Sequence, residues 1–119
     1  MSGHNALQDL FEGPAETPDP GDGNAIVATK LIETIGLVTT TAETRSLPDP
    51  DRAGIHLYLV FVTDGGDCVI TADSAVNTSG NTIMTFDAAR EGVGLISIPT
   101  SSTAYAWEIV TNNGSVGLS

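Results

Sequence analysis

Ile55-His56-Leu57-Tyr58-Leu59-Val60-Phe61-Val62-Thr63-Asp64-Gly65-Gly66-Asp67-Cys68-Val69-Ile70-Thr71-Ala72, residues 55–72, is the stretch on which the fold turns. Successive side chains of an extended strand point to opposite sides, so Ile55, Leu57, Leu59 and Phe61 share one face and His56, Tyr58, Val60 and Val62 the other. Both faces are largely apolar, which predicts that both are covered. Asp64-Gly65 with a second glycine is a strong short-range signal for a tight turn. It predicts that strands 54–63 and 66–72 pair as an antiparallel hairpin.

Toward the C-terminus, Asn77-Thr78-Ser79-Gly80-Asn81 supplies residues that tolerate positive φ and leads into Thr82 to Phe86. Asn112-Asn113-Gly114 predicts a further hairpin, with Val116 and Leu118 running back along the strand that holds Trp107, Ile109 and Thr111. Toward the N-terminus, Leu47-Pro48-Asp49-Pro50 marks a corner, because proline removes a ladder donor and biases the residue before it away from helix. That corner is expected to separate a 25–44 pair from the main sheet. Strands are expected near 25–33, 35–44, 54–63, 66–72, 82–86, 93–99, 103–111 and 115–118. Turns arriving this often predict an all-β domain over 25–119: an antiparallel sandwich, a jelly roll or a small barrel. No internal repeat of fixed period is visible, so a solenoid is not indicated.

Residues 1–24 differ from the rest, with Asp9, Glu12, Glu16, Asp19 and Asp22, no Lys or Arg, and Pro14, Pro18 and Pro20. This composition predicts an extended N-terminal arm. Within it Leu7, Leu10 and Phe11 recur at helical spacing after Asn5, a residue suited to an N-cap. So short a helix needs a surface to dock on. The arm therefore reads as a solvated tail, as a docking peptide for a neighbouring subunit or partner through Leu7, Leu10, Phe11 and then Ile26 and Val27, or as a segment packed on its own domain.

The chain has 119 residues and a formal net charge of −11, its only cations being Lys30, Arg45, Arg52 and Arg90. No basic stripe exists to neutralise phosphates or to hold an anionic membrane, and no apolar run approaches the roughly 20 residues that span a bilayer. Neither nucleic acid nor a membrane is expected as a partner. The first residues show neither a positive region nor an apolar run of signal-peptide type, so synthesis in the cytoplasm is expected. The lone Cys68 excludes an internal disulfide and a multi-cysteine zinc site, and reads as a small buried hydrophobe.

Each candidate chemistry meets a plainer explanation. Asp19, Asp22 and Asn24, or Asp64 and Asp67, offer oxygens for calcium, but neither set has the full loop spacing with a distal glutamate. Solvated turns account for them better. Cys68 with His56 and an aspartate would come near one another on a paired hairpin, yet no glycine-rich elbow or oxyanion site accompanies them. The glycines lack a P-loop Lys-Ser/Thr. No metal, cofactor or catalytic residue is expected, and the chain is read as a non-enzyme. Tyr105 and Trp107 share a strand face and serve either as a sugar platform or, for the tryptophan, as a buried sandwich anchor. His56, Tyr58, Tyr105 and Trp107 are the expected oligomer or surface contacts.

From Arg45 to Gly114 the run of Leu47-Pro48-Asp49-Pro50, Ala53-Gly54, Asp64-Gly65-Gly66-Asp67, Asn77 with Gly80-Asn81-Thr82, Thr85-Phe86, Trp107 and Asn112-Asn113-Gly114 resembles a pattern in small virion proteins of tailed bacteriophages. Such proteins are similar to head decoration, or cement, proteins. The resemblance implies a symmetric oligomer, often a homotrimer, on the outer capsid surface, bridging neighbouring copies of the major capsid protein. It implies no catalytic residues. A β-rich head or tail fibre, or a receptor-binding module that contacts a glycan, is the alternative it leaves open.

Overall fold

The computed structural model describes residues 16–119. The arm residues Leu7, Leu10 and Phe11 lie outside that range. No helix occurs among the described residues; ten strands make two sheets that face each other as a sandwich. They are β1 (Glu16–Thr17), β2 (Asn24–Ala25), β3 (Ile32–Val38), β4 (Glu43–Leu47), β5 (His56–Thr63), β6 (Cys68–Ala72), β7 (Ile83–Phe86), β8 (Gly92–Pro99), β9 (Tyr105–Asn113) and β10 (Gly117–Leu118). A long-stranded sheet has the order β1-β3-β5-β8-β9, and a short-stranded sheet the order β10-β7-β6-β4-β2. Of the architectures left open by the sequence, the fold is the sandwich and not a closed barrel.

The hairpin expected at residues 64–67 does not form. Strand β5 lies in the long sheet and β6 in the short one, so Asp64 to Asp67 carry the chain across the sandwich as an arch. The physical reason is that β5 and β6 each find a parallel neighbour, β3 and β4 respectively. Their apolar faces then meet across the core instead of lying side by side. A Cβ on Gly65 would strike the carbonyl of Thr39, and one on Gly66 the backbone of Thr41 and Ala42. The glycine pair is therefore needed for one arch to lie flush on the arch before it, a role indistinguishable in sequence from a hairpin turn.

The same crossing recurs five times: β1 to β2, β3 to β4, β5 to β6, β7 to β8 and β9 to β10 each pass from one sheet to the other. The strand directions place all five arches at one end of the sandwich. The first three turns wind in parallel, like a short solenoid without a sequence period. Glu16 stands beside Thr34 and Thr34 beside Tyr58, so one turn takes 18 residues and the next 24. The antiparallel pairing expected throughout holds for β7 to β10. The last expected hairpin is also an arch: β10 pairs with β7, not with the strand of Trp107.

The expected strands at 25–33 and 35–44 are displaced. Residues 26–31 form a loop, β3 takes 32–38, and Thr39 to Ala42 form the second arch. Thr39 to Thr41 look like strand by their branching, but Thr40 N donates to Glu43 at 2.9 Å, a local bond that favours a turn, and Thr39 Oγ1 donates to Gly66 O of the next arch at 2.6 Å. The proline corner at 48–50 returns the chain from the short sheet to the long one and separates no pair from the main sheet. Residues 16–24, expected in the arm, are part of both sheets through β1 and β2.

Leu57, Leu59 and Phe61 of the long sheet face Ile70, Met84 and Phe86 of the short one, all buried. Phe61 and Phe86 meet edge to face with centroids 6.3 Å apart. Trp107 is 3% exposed, and its indole N–H donates to Pro48 O at 3.0 Å, pinning the proline corner against the core. Arg45 sits on the inward side of β4 with a fully buried side chain. Its Nε and Nη2 donate to the two oxygens of Asp19, each at 2.8 Å, and Nη2 also reaches Glu43 at 3.0 Å. A buried guanidinium is tolerable only when paired and hydrogen-bonded in this way. The pair clasps the first arch to the second.

Candidate functional site

The outer face of the long sheet is the surface that the apolar alternation of residues 56–62 builds. Strand β5 presents His56, Tyr58, Val60 and Val62 outward, since Leu57, Leu59 and Phe61 point into the core. Register carries the same face onto its neighbours. Ile32, Thr34, Gly36 and Val38 come from β3, and Gly92, Gly94, Ile96 and Ile98 from β8. Strand β9 adds Ala106 and Glu108, and a bulge at Gly94/Leu95 brings Thr111 beside Gly94 and leaves Val110 exposed. Val62 is 55% and Val110 60% exposed, while Tyr58, Val60, Ile96 and Ile98 are half-buried by one another.

Glycines make this face smooth. A side chain at Gly92 would collide with the Tyr58 hydroxyl, and one at Gly36 with Val62. Tyr58 therefore leans across β8 and Val62 across β3, and their bulk fills what the glycines leave empty. On the four long strands only two ionisable side chains besides tyrosine reach this face. They are His56 and Glu108, which flank Ile96 in one row across β5, β8 and β9.

Of the expected contact residues, the structure brings His56 and Tyr58 together on this face. Trp107 is not a surface contact; it is the sandwich anchor, and the sugar platform it would share with Tyr105 does not exist. Tyr105, half-buried, begins β9 opposite Pro99. Ile26 is buried at 2% exposure, so it is not available for docking, whereas its neighbour Val27 is exposed. Reasoning from the sequence missed Ile96, Ile98 and Val110 as members of the face. Their signal was the register to β5, which a single sequence does not disclose.

The candidate chemical groups are dispersed or occupied. His56 lies outside the long sheet and Cys68 inside the short one, so the pair that a hairpin would have brought together is separated by the core. Burial pushes the Cys68 thiol up to about 11, which leaves it protonated and unreactive at neutral pH. Asp19 also accepts from Val38 N at 2.8 Å, and Asp22 from Thr44 N at 2.9 Å. Burial alone would raise the Asp19 pKa, but the hydrogen bonds from Arg45, Val38 and Gly21 override it and hold the carboxylate below its ordinary range. Asp64 accepts from Gly66 N at 3.1 Å. These carboxylates serve the arches that contain them. A recess at the opposite end is lined by Val27, Thr29, Asp49, Asp51, Arg52 and Trp107.

Compared with known family profiles and with curated proteins, the chain matches none.

Proposed function

We propose that this protein is a non-catalytic structural unit of a bacteriophage virion that sits on the outer capsid surface as a symmetric oligomer and ties neighbouring major capsid proteins together. The observation that carries this reading is the outer face of the long sheet: a smooth apolar surface on a molecule whose net charge is −11. Contiguous apolar surface of this extent on a small soluble domain marks a contact with another macromolecule. The turn pattern from Arg45 to Gly114 supplies the class of partner.

In this role the body self-associates and the segment ahead of β1, with Leu7, Leu10 and Phe11, contacts the capsid. Several such segments on one oligomer bind with avidity, and a ligand that binds only the assembled shell makes that shell harder to open. Co-sedimentation with assembled, undecorated phage shells tests the reading. Saturable binding and a higher melting temperature of the shell are expected. Shells that sediment without the protein at micromolar concentration would overturn it.

A further inference from the structure

We infer that the outer face of the long sheet pairs with the same face of a second copy about a two-fold axis running along β8. Three observations lead there.

The first is charge. His56, Ile96 and Glu108 stand in one row on adjacent strands, each step being about 4.8 Å. An axis along β8 sets Ile96 against Ile96 of the partner subunit and each His56 opposite Glu108 of the partner subunit. His56 and Glu108, the two ionisable side chains besides tyrosine that the four long strands place on this face, thus become two donor–acceptor pairs under one symmetry operation. A face built to meet an unrelated partner has no reason to be its own complement. Elsewhere copies with a charge of −11 repel, and this face carries only one carboxylate away from its edge.

The second is area. Four strands at about 4.8 Å spacing and seven residues at about 3.3 Å rise give a face of roughly 440 Å², or about 900 Å² counted over both copies. Side-chain relief adds to this plan area, so the contact is on the order of 1,000 Å², the lower bound for a specific interface.

The third is shape. Because Tyr58 and Val62 lie over glycines instead of projecting, the face is flat enough for two sheets to stack at about 10 Å. The assembled dimer is a stack of four sheets.

This pairing does not depend on the capsid reading and is tested apart from it. Light scattering on the purified full chain should give twice the 12.2 kDa subunit mass at micromolar concentration. Ile96→Lys should convert the dimer to monomer, with circular dichroism confirming that the fold persists. Should that variant unfold, an exchange between exposed His56 and half-buried Glu108 keeps the test open. His56→Glu sets two carboxylates against each other and should weaken dimerisation by about tenfold or more. Adding Glu108→His to it again sets an imidazole opposite each carboxylate and should recover the dimer. A monomer or trimer for the native chain, a dimer indifferent to Ile96→Lys, or a double variant no tighter than His56→Glu alone would each overturn the inference.

Discussion

The two outer faces of the sandwich are built on the same strand alternation and come out opposite in character. The long sheet shows Val60, Val62, Ile96 and Ile98 to the outside. The short sheet shows Thr44, Ser46, Thr71 and Thr85, with Val69 and Ile83 half-buried among them. Hydroxyls on exposed strand positions keep a sheet soluble and cost nothing in β-propensity, since threonine is β-branched. The core cannot explain the difference, because both sheets fill it equally well. The difference lies in the outward residues alone, and it is on them that the proposed association rests.

The largest expected effect comes from releasing the clasp that holds both sheets at their N-terminal edge. Asp19→Asn leaves the buried Arg45 with half of its charge partners and should cost about 3 kcal/mol in urea unfolding. The Asp19 pKa is lower folded than unfolded. Its stabilisation is therefore complete above the unfolded carboxylate value of about 3.9 and is lost as pH falls through the folded value. The native chain should lose stability on acidification below about pH 4, and the variant should show a flatter acid limb.

Next come paired substitutions on the two faces. Gly92→Ala drives a methyl into Tyr58 and should cost about 1–3 kcal/mol, whereas Thr85→Ala on the short sheet should stay within about 0.5 kcal/mol. Equal costs would remove the distinction between a fitted face and a merely solvated one.

A lysine at half-buried Ile96 should cost the dilute chain about 1 kcal/mol, and one at exposed Thr71 about 0.5 kcal/mol or less. Only the first should abolish the rise of melting temperature with protein concentration that a self-associating native chain shows. The smallest effect is on Cys68, which lies between the faces. A thiol reagent should label it only as fast as the domain opens, and equally in the Ile96→Lys and Thr71→Lys variants.

Period-two alternation made β5 to β9 legible to within two residues at either end, and it identified His56 and Tyr58 as outward. What stayed hidden is which strand lies beside which. Asp64-Gly65-Gly66-Asp67 serves an arch as well as a hairpin, because glycine answers a demand for close approach without saying what approaches. The apolar face was legible only in its β5 part, since Ile96 joins it through pairing. Two buried charges had a local signal that composition obscured. Glu33 alternates with Ile35 and Leu37, and Arg45 with Leu47, so each occupies an inward position. The partner of Arg45 lies in a segment whose prolines and acids read as arm, and the partners of Glu33 include the loop amide of Thr29 at 2.5 Å.

The unequal turns of the parallel half bear on how the chain tolerates change in length. Successive turns differ by six residues yet stack in register, and the surplus is shared: three residues fall between β3 and β4 on the arch side and three in the return loop at 48–55 compared with that at 26–31. Where the third arch rests on the second there is no room to spare, because Gly65 and Gly66 lie against the backbone of Thr39 to Ala42. A peptide grafted between Asp51 and Ala53 would therefore extend from the return-loop end without shifting a strand, and the same graft at Gly65 would push the stack apart. The return-loop end is thus the place to attach a displayed sequence, and the packed glycine arch is the place to avoid.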